Sequence, residues 1–378
     1  MRHLTAVDRV ARTHATNVAS IGCTRAHGGQ HWRSAIRSGV QAIVAEFVAT
    51  RCVPELQAAG LSVASDVLSD FVDGGKCLRS TFMYLGWLCG ADDDSAALRA
   101  AAGLELLHAF ALLQDDVMDN APFRRGRPSG HVSFARWHRR QGMAGSPDRF
   151  GESAAVLLGD LCLVWAAQMM RESGVPAGAL ERVWPRYDTM RTELAVGQFA
   201  DLINDAARFP TLDQVLDVSR RKSGNYTVRR PLELGAAMAG CDESVLRMLA
   251  GYGDAIGEAF QMRDDVLGLS GSPAITGKPS GSDLTERKAT SVVVAAYHLA
   301  DASLRRQLRE LMSADQLGDA DIHRWHGLIV DSGAVDWIEQ LIDVRLSTAL
   351  ALVDDARVRP SARTALREMA LACTERVA

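Results

Sequence analysis

The chain has 378 residues, 47% hydrophobic and 23% charged, with a formal net charge of −4. This is an ordinary globular composition, and without a basic stripe interleaved with aromatics it gives no reason to expect a nucleic-acid partner. Cys23, Cys52, Cys77, Cys89, Cys162, Cys241 and Cys373 are odd in number, scattered and without a Cys-x-x-Cys. They fit reduced thiols in a cytoplasmic protein better than a disulfide framework or a zinc site. No transmembrane segment is expected, because the best apolar run, 154–170, is short and broken by Asp160.

Residues 1–33 carry many Arg and His, one acid (Asp8) and no sustained periodicity. A targeting peptide has that bias, but the reading preferred here is a poorly ordered N-terminal extension or a start codon placed too early. From Ser34 the pattern turns helical, with Val40, Ile43, Val44, Phe47 and Val48 at helical spacing. Gly74-Gly75 breaks the chain before an apolar helix over 78–88. Ser95 is the expected N-cap of a long helix ending at Asp115, Asp116 and Asp119. A loop with Arg124 and Arg125 follows, then a short helical segment near 133–140 and a largely buried helix over 152–171.

A helix over 177–207 should kink or stop at Pro185, and one over 212–238 should break at Pro231. Residues 244–269 form a long helix tipped by Asp264 and Asp265, and 270–282 a Gly/Pro/Ser loop. Helices resume over 289–312, 320–330, 335–356 and 361–376. No segment shows strand alternation with hairpin turns. The expectation is an all-α, single-domain helical bundle over 34–378, around a central substrate cavity.

Two stretches carry chemistry. In Leu107 to Pro128 an apolar helical run ends in three carboxylates, and a loop with two arginines follows. Asp115 and Asp119, four apart, share a helix face. Side by side against an apolar run they would repel unless a cation intervened, and magnesium typically takes one or two carboxylates plus substrate phosphates. The second stretch, Phe260-Gln261-Met262-Arg263-Asp264-Asp265, repeats the pattern. Two such helices facing each other across a bundle would hold a metal cluster.

Asp115-Asp116-Val117-Met118-Asp119 with Arg124-Arg125-Gly126, and Gln261-x-x-Asp264-Asp265 with Gly277-Lys278-Pro279-x-Gly281-x-Asp283, resemble the paired motifs of the trans-isoprenyl diphosphate synthases, the polyprenyl synthetase family. A lone DDxxD is weak, since acidic helix ends are common on surfaces; the combination is specific. The resemblance implies an isoprenoid-synthase-type fold and a reaction. An allylic diphosphate (dimethylallyl, geranyl or farnesyl) ionises, and isopentenyl diphosphate adds to the cation with loss of a proton.

By the same resemblance, Asp115 and Asp119 bind Mg2+ from one side and Asp264 from the other, with Asp116 and Asp265 in support. Arg124, Lys222 and Lys278 contact the allylic diphosphate. Lys76, Arg79, His108 and Arg125 form the isopentenyl diphosphate pocket, and Lys288 is a further diphosphate contact. Gln261 and Ser223 supply dipoles near the allylic cation, while Gln198 and Asp201 are supporting polar groups. Taken alone, His108 would more often be a core histidine and Lys222 a solvated charge; the surrounding motifs favour function. Asp160, inside an apolar helix, should have a buried partner. A homodimer is also implied.

Several positions depart from the family pattern. Cys77 and Ser80 stand where Arg and Pro are common, Ser223 where Thr is usual, Gly268 where a third acid is common, and Arg287 where Gly is usual. For chain length, Phe110 lies five positions before Asp115 and Ala111 four, with no insertion between Asp116 and Asp119. An aromatic with a small neighbour resembles synthases that stop at geranylgeranyl diphosphate, with farnesyl next. A class I terpene cyclase is disfavoured because Arg208 and Leu212 occupy the hydroxyl and Glu positions of the motif that Asn204-Asp205 would begin. A non-catalytic partner subunit is disfavoured because the first acidic motif is intact.

Overall fold

Apolar side chains at helical spacing produce helices along nearly all of the chain that the computed structural model describes, residues 31–206, 210–270, 282–314, 316–354 and 357–375. Lys278 and residues 1–30 of the N-terminal extension lie outside these ranges. The described residues separate into two compact units, divided near Leu180, with the short segment Arg124–Arg127 belonging to the second.

The first unit begins with α1 (His31–Phe47), which runs through a π-helical turn, π1 (Val48–Cys52), into α2 (Val53–Ala58). Then come α3 (Ser62–Val72), α4 (Leu78–Gly90), α5 (Ser95–Met118), α6 (Gly130–Arg140) and α7 (Pro147–Arg171). Helix α5 is apolar all round, as a helix enclosed by others must be. Ala97, Ala100, Ala101, Leu104, Leu106 and Leu107 are all fully or almost fully buried. It packs closely on α7 because Gly103 offers no side chain: a Cβ there would lie 2.9 Å from the Ala166 carbonyl oxygen. The N-cap of α5 is Asp94 rather than Ser95. The Asp94 carboxylate accepts from the N–H groups of Ala96 (2.6 Å) and Ala97 (3.3 Å), which leaves Ser95 as the first helical residue.

Helices α5 and α7 are each long and apolar enough to cross a membrane by length and composition. A core helix enclosed by other helices meets the same two criteria. The most apolar window of α5 is 67% buried inside the protein and that of α7 only 44%. The open face of α7 shows Val156, Leu157 and Val164.

The chain then forms α8 (Ala177–Ala206), α9 (Leu212–Ser219), a second π-helix, π2 (Arg220–Arg229), and α10 (Arg230–Met238). After these come α11 (Glu243–Ser270), α12 (Ser282–Thr285), α13 (Ser291–Leu299), α14 (Ala302–Met312), α15 (Asp319–Asp331), α16 (Ala334–Val353) and α17 (Pro360–Thr374). Helix α8 passes Pro185 without stopping. Pro185 and Glu181, four residues earlier, are both exposed, so the carbonyl that loses its partner N–H can turn to water. At Pro231 the chain does not break either. It passes from π to α geometry at Arg230, whose N–H bonds the Asn225 carbonyl, and Pro231 occupies the first turn of α10, where a missing N–H costs least. The helix expected over 289–312 is two, because the Asp301 carboxylate caps α14 through the N–H of Leu304 at 2.8 Å.

The core of the second unit forms where α11 meets α13, α15 and α16. It holds Met262, Val266, Val292, Val293, Trp325, Ile329, Ile338 and Ile342. Arg263 ties α11 to the C-terminal helices, donating to the Thr374 carbonyl (2.7 Å) and to both Glu339 carboxylate oxygens (2.5 and 2.6 Å). The described strands are two residues each, β1 (Phe123–Arg124) and β2 (Arg127–Pro128). The fold is all-α.

Candidate active site

In the first unit, the start of α4 is shaped by backbone that few residues adopt. Gly74 and Gly75 have φ of +77° and +78°, and Cys77, buried at the N-cap, has +49°. Glycine takes this left-handed region at no steric cost and cysteine does not. Side chains hold the turn: Gln41 Nε2 donates to the Gly74 carbonyl (3.0 Å) and Thr81 Oγ1 to the Cys77 carbonyl (2.7 Å). Lys76 and Arg79 thus flank a helix N-terminus, whose positive dipole end favours an anion.

At the other end of α5 lie the first carboxylates. Asp115 and Asp119 are partly buried and Asp116 is fully buried. The Asp119 N–H bonds the Asp115 carbonyl at 2.8 Å, so helical geometry reaches the third acid. Here the negative end of the helix dipole also favours a cation. His108, Phe110 and Ala111 are partly buried along the same helix. Gly159 of α7 lets the helices meet there, since a Cβ would sit 3.2 Å from Gln114 Cγ and 3.6 Å from the Phe110 carbonyl oxygen. Asp160 is exposed rather than buried, and accepts from Gln114 Nε2 at 3.0 Å. Such a pair keeps its charge in water instead of needing an internal counter-ion.

In the second unit, Arg124 is partly buried, and exposed Arg125 (φ +52°) and Gly126 (+75°) form the turn between β1 and β2. Two successive left-handed residues are the mark of a tight hairpin turn. Lys222 and Ser223 stand in π2, and π geometry is rare and frequently found at functional sites. Glycines on both sides admit it. A Cβ would lie 2.6 Å from the Lys222 nitrogen at Gly197, 2.8 Å from Gly224 Cα at Gly257, and 2.4 Å from Arg229 Cα at Gly253. Gly253 and Gly257 did not stand out in the sequence, because each partner lies far along the chain.

Lys222 Nζ donates to Asp201 Oδ2 at 2.5 Å, and Gln198 is partly buried a turn before Asp201. An ion network fixes the far end of π2. Arg229 bonds Glu233 (3.0 Å) and Asp254 (2.9 Å), Arg230 bonds Glu233 (2.5 Å) and Glu193, and Asn225 donates to Glu193 at 3.1 Å.

The end of α11 divides its two acids. Asp265 is buried and accepts from the Ser291 N–H (2.9 Å), Ser291 Oγ (2.7 Å) and Gln261 Nε2 (2.9 Å). Burial pushes its carboxyl up to about 6 despite those donors, and the nearby Asp283 charge adds to the rise. Because the Gln261 amide N–H group faces a carboxylate, the negative amide oxygen is the end left to face elsewhere. Asp264 is partly buried. Gly268, where the family commonly has an acid, is overlain by Asp283: a Cβ there would come within 2.1 Å of Asp283 Oδ2. Nearby, Lys288 Nζ pairs with Glu286 at 3.1 Å, and Arg287 has φ +55°, the conformation that the usual glycine would take freely.

Among the described residues, no three His, Cys, Asp or Glu side chains approach closely enough to enclose a cation by themselves. The carboxylate oxygens at the end of α5, and separately those at the end of α11, are of the ligand type magnesium takes, and magnesium keeps waters and substrate phosphates in its shell rather than a complete protein cage.

The chain resembles known proteins along most of its length. The polyprenyl synthetase family model matches residues 62–327. Geranylgeranyl diphosphate synthase of Mycobacterium tuberculosis is 30% identical over 282 residues, 75% of this chain and 75% of that protein. Geranylfarnesyl diphosphate synthase of Aeropyrum pernix is 31% identical over 271 residues, 70% of this chain and 79% of the relative. The crystal structure of a Corynebacterium glutamicum geranylgeranyl pyrophosphate synthase, complexed with isoprenyl diphosphate and magnesium, superposes with a TM-score of 0.85 at 33% identity. That match covers 90% of this chain and 99% of the other. With both acidic motifs, the basic segments and the all-α fold in place, the chain belongs to the polyprenyl synthetase family and is a trans-prenyltransferase.

Proposed function

We propose that the protein condenses isopentenyl diphosphate with an allylic diphosphate in a magnesium-dependent reaction whose main product is geranylgeranyl diphosphate. The allylic C–O bond breaks and the diphosphate leaves with the electron pair. The double bond of isopentenyl diphosphate attacks the allylic cation, a C–C bond forms, and a proton is lost to restore the alkene. Magnesium, when bound, supplies charge neutralisation on the leaving diphosphate, and Asp115, Asp119 and Asp264 are the carboxylates to hold it. Asp116 and Asp265 act from buried positions, Asp265 by orienting Gln261.

Arg124, Lys222 and Lys278 bind the allylic diphosphate, and Lys288 is an additional contact. The Lys222–Asp201 pair keeps the ammonium group oriented until substrate arrives. Gln261 and Ser223 present oxygen dipoles to the cation. Lys76, Arg79, His108 and Arg125 hold the second diphosphate. Both units act as one catalytic domain, a reading supported by a family match that runs through both. We further read the protein as a cytoplasmic homodimer. All six described cysteines are free thiols, and the apolar Val156, Leu157 and Val164 on α7 offer a face for a second copy.

The observation that carries the product is Phe110. It is a partly buried aromatic on α5 upstream of Asp115, with small Ala111 beside it, so the growing chain would meet a ring as its floor. The reaction is tested with purified protein, magnesium, isopentenyl diphosphate and each allylic starter. Diphosphate release should require both substrates and stop on chelation. Release from the allylic substrate alone, with hydrocarbon products, would overturn the reading.

A further inference from the structure

We propose that Ser80 and Glu105 are a positioning pair for the isopentenyl diphosphate pocket. The inference rests on the reading of Lys76, Arg79 and His108 as that pocket. Ser80 is fully buried in the first turn of α4, and its Oγ donates to Glu105 Oε1 on α5 at 2.5 Å. Hydrogen bonds to a carboxylate are shorter and stronger than neutral ones. Glu105 and His108, three apart, lie on one side of α5, and Ser80 directly follows Arg79. One bond therefore joins the segment bearing Lys76 and Arg79 to the helix bearing His108.

Proline is the common family residue at this position, and the substitution has a physical logic. A proline in the first helical turn fixes φ and sacrifices no helical hydrogen bond, because the first N–H groups have no intrahelical acceptor. In this chain the Thr81 N–H, bonded to the Cys77 carbonyl at 3.0 Å, comes after Ser80, whose own N–H lies outside the ladder. Serine gives up the φ restraint and gains a donor. The restraint on the turn has thus passed from the backbone to a side-chain bond, in a segment already held in left-handed conformations at Gly74, Gly75 and Cys77.

The test is a split between the two substrates. Ser80→Ala should raise KM for isopentenyl diphosphate about tenfold, the order of effect of one hydrogen bond to a charged group. It should leave kcat and KM for the allylic diphosphate within about twofold. Calorimetric titration with isopentenyl diphosphate alone should weaken by the same factor. Glu105→Gln should act in the same direction, and adding it to Ser80→Ala should cost little more, because the two act as one unit. If Ser80→Ala does not fold, Glu105→Gln alone reads the same split. Unchanged affinity for isopentenyl diphosphate, or equal rises in both KM values, would overturn the proposal. Lys76→Ala separates the two levels. If it too leaves isopentenyl diphosphate affinity unchanged, the pocket reading fails; if it weakens binding while Ser80→Ala does not, only the positioning pair fails.

Discussion

Replacing Gly197 by alanine sets two effects of opposite sign against each other. Within α8 alone, alanine should stabilise the helix by about 1 kcal/mol over glycine. In the folded protein the added Cβ would lie 2.6 Å from the Lys222 nitrogen and 2.9 Å from both Arg221 C and Lys222 Cα. All three are backbone atoms, so no rotamer change relieves the contact. Reaching the 3.4 Å of ordinary contact requires α8 and π2 to separate by about 0.8 Å, and overpacking of this kind costs about 1–3 kcal/mol. The clash should win, giving a lower Tm. Function should suffer more than stability, because the displaced segment carries Lys222 and Ser223, and a misplacement near 1 Å costs about 100-fold in rate. Steady-state kinetics should show kcat down by about that factor. KM for isopentenyl diphosphate should barely change. Gly178→Ala is the internal control: it lies in the same helix with nothing within 4 Å of an added Cβ, so it should stabilise. A Gly197→Ala protein as stable and as fast as wild type would show that the close approach of α8 to π2 constrains neither stability nor Lys222.

Phe110→Ala should remove the floor and shift products beyond geranylgeranyl diphosphate, resolved by chain length; an unchanged product would sink the assignment. Burial pushes the Cys52 thiol up to about 12, with the Glu55 charge adding to it, and drives buried Cys162 higher still. In native protein these two should resist iodoacetamide while partly exposed Cys241 labels ahead of both, as peptide mass mapping would show. Burial by itself would raise the Glu193 carboxyl, but the Arg230 hydrogen bond and charge, with Asn225 and Arg229, hold it below the ordinary 4.5. Its pKa is lower folded than unfolded, so its contribution is complete above the unfolded value and is lost as pH falls through the folded one. Glu193→Gln should therefore flatten the pH dependence of urea unfolding below about pH 4.5; an unchanged acid limb would contradict the pairing.

Much of the architecture was legible because long helices with continuous apolar character leave few alternatives. The acidic helix ends were legible because carboxylates beside apolar runs have no cheap structural explanation. What escaped the sequence had local causes. Asp94 and Ser95 are adjacent and both are capable caps, so only geometry decides between them. Pro185 is tolerated because the carbonyl it orphans lies on an exposed face, a fact of tertiary placement. The π-helix at Lys222 leaves no mark in apolar spacing; its visible traces are Gly197, Gly253 and Gly257, whose partners are distant in sequence. Gly268 reads as a lost acid until Asp283 is seen over it. Ser80 reads as a lost proline until Glu105 is seen beside it.

The central claim is that the chain extends an allylic cation and stops where Phe110 meets the growing product. The most direct measurement is the product of a reaction run to completion with magnesium, dimethylallyl diphosphate and excess isopentenyl diphosphate, dephosphorylated and resolved by chain length. Geranylgeraniol should be the dominant alcohol. Farnesol alone, or a ladder running past geranylgeraniol, would contradict it.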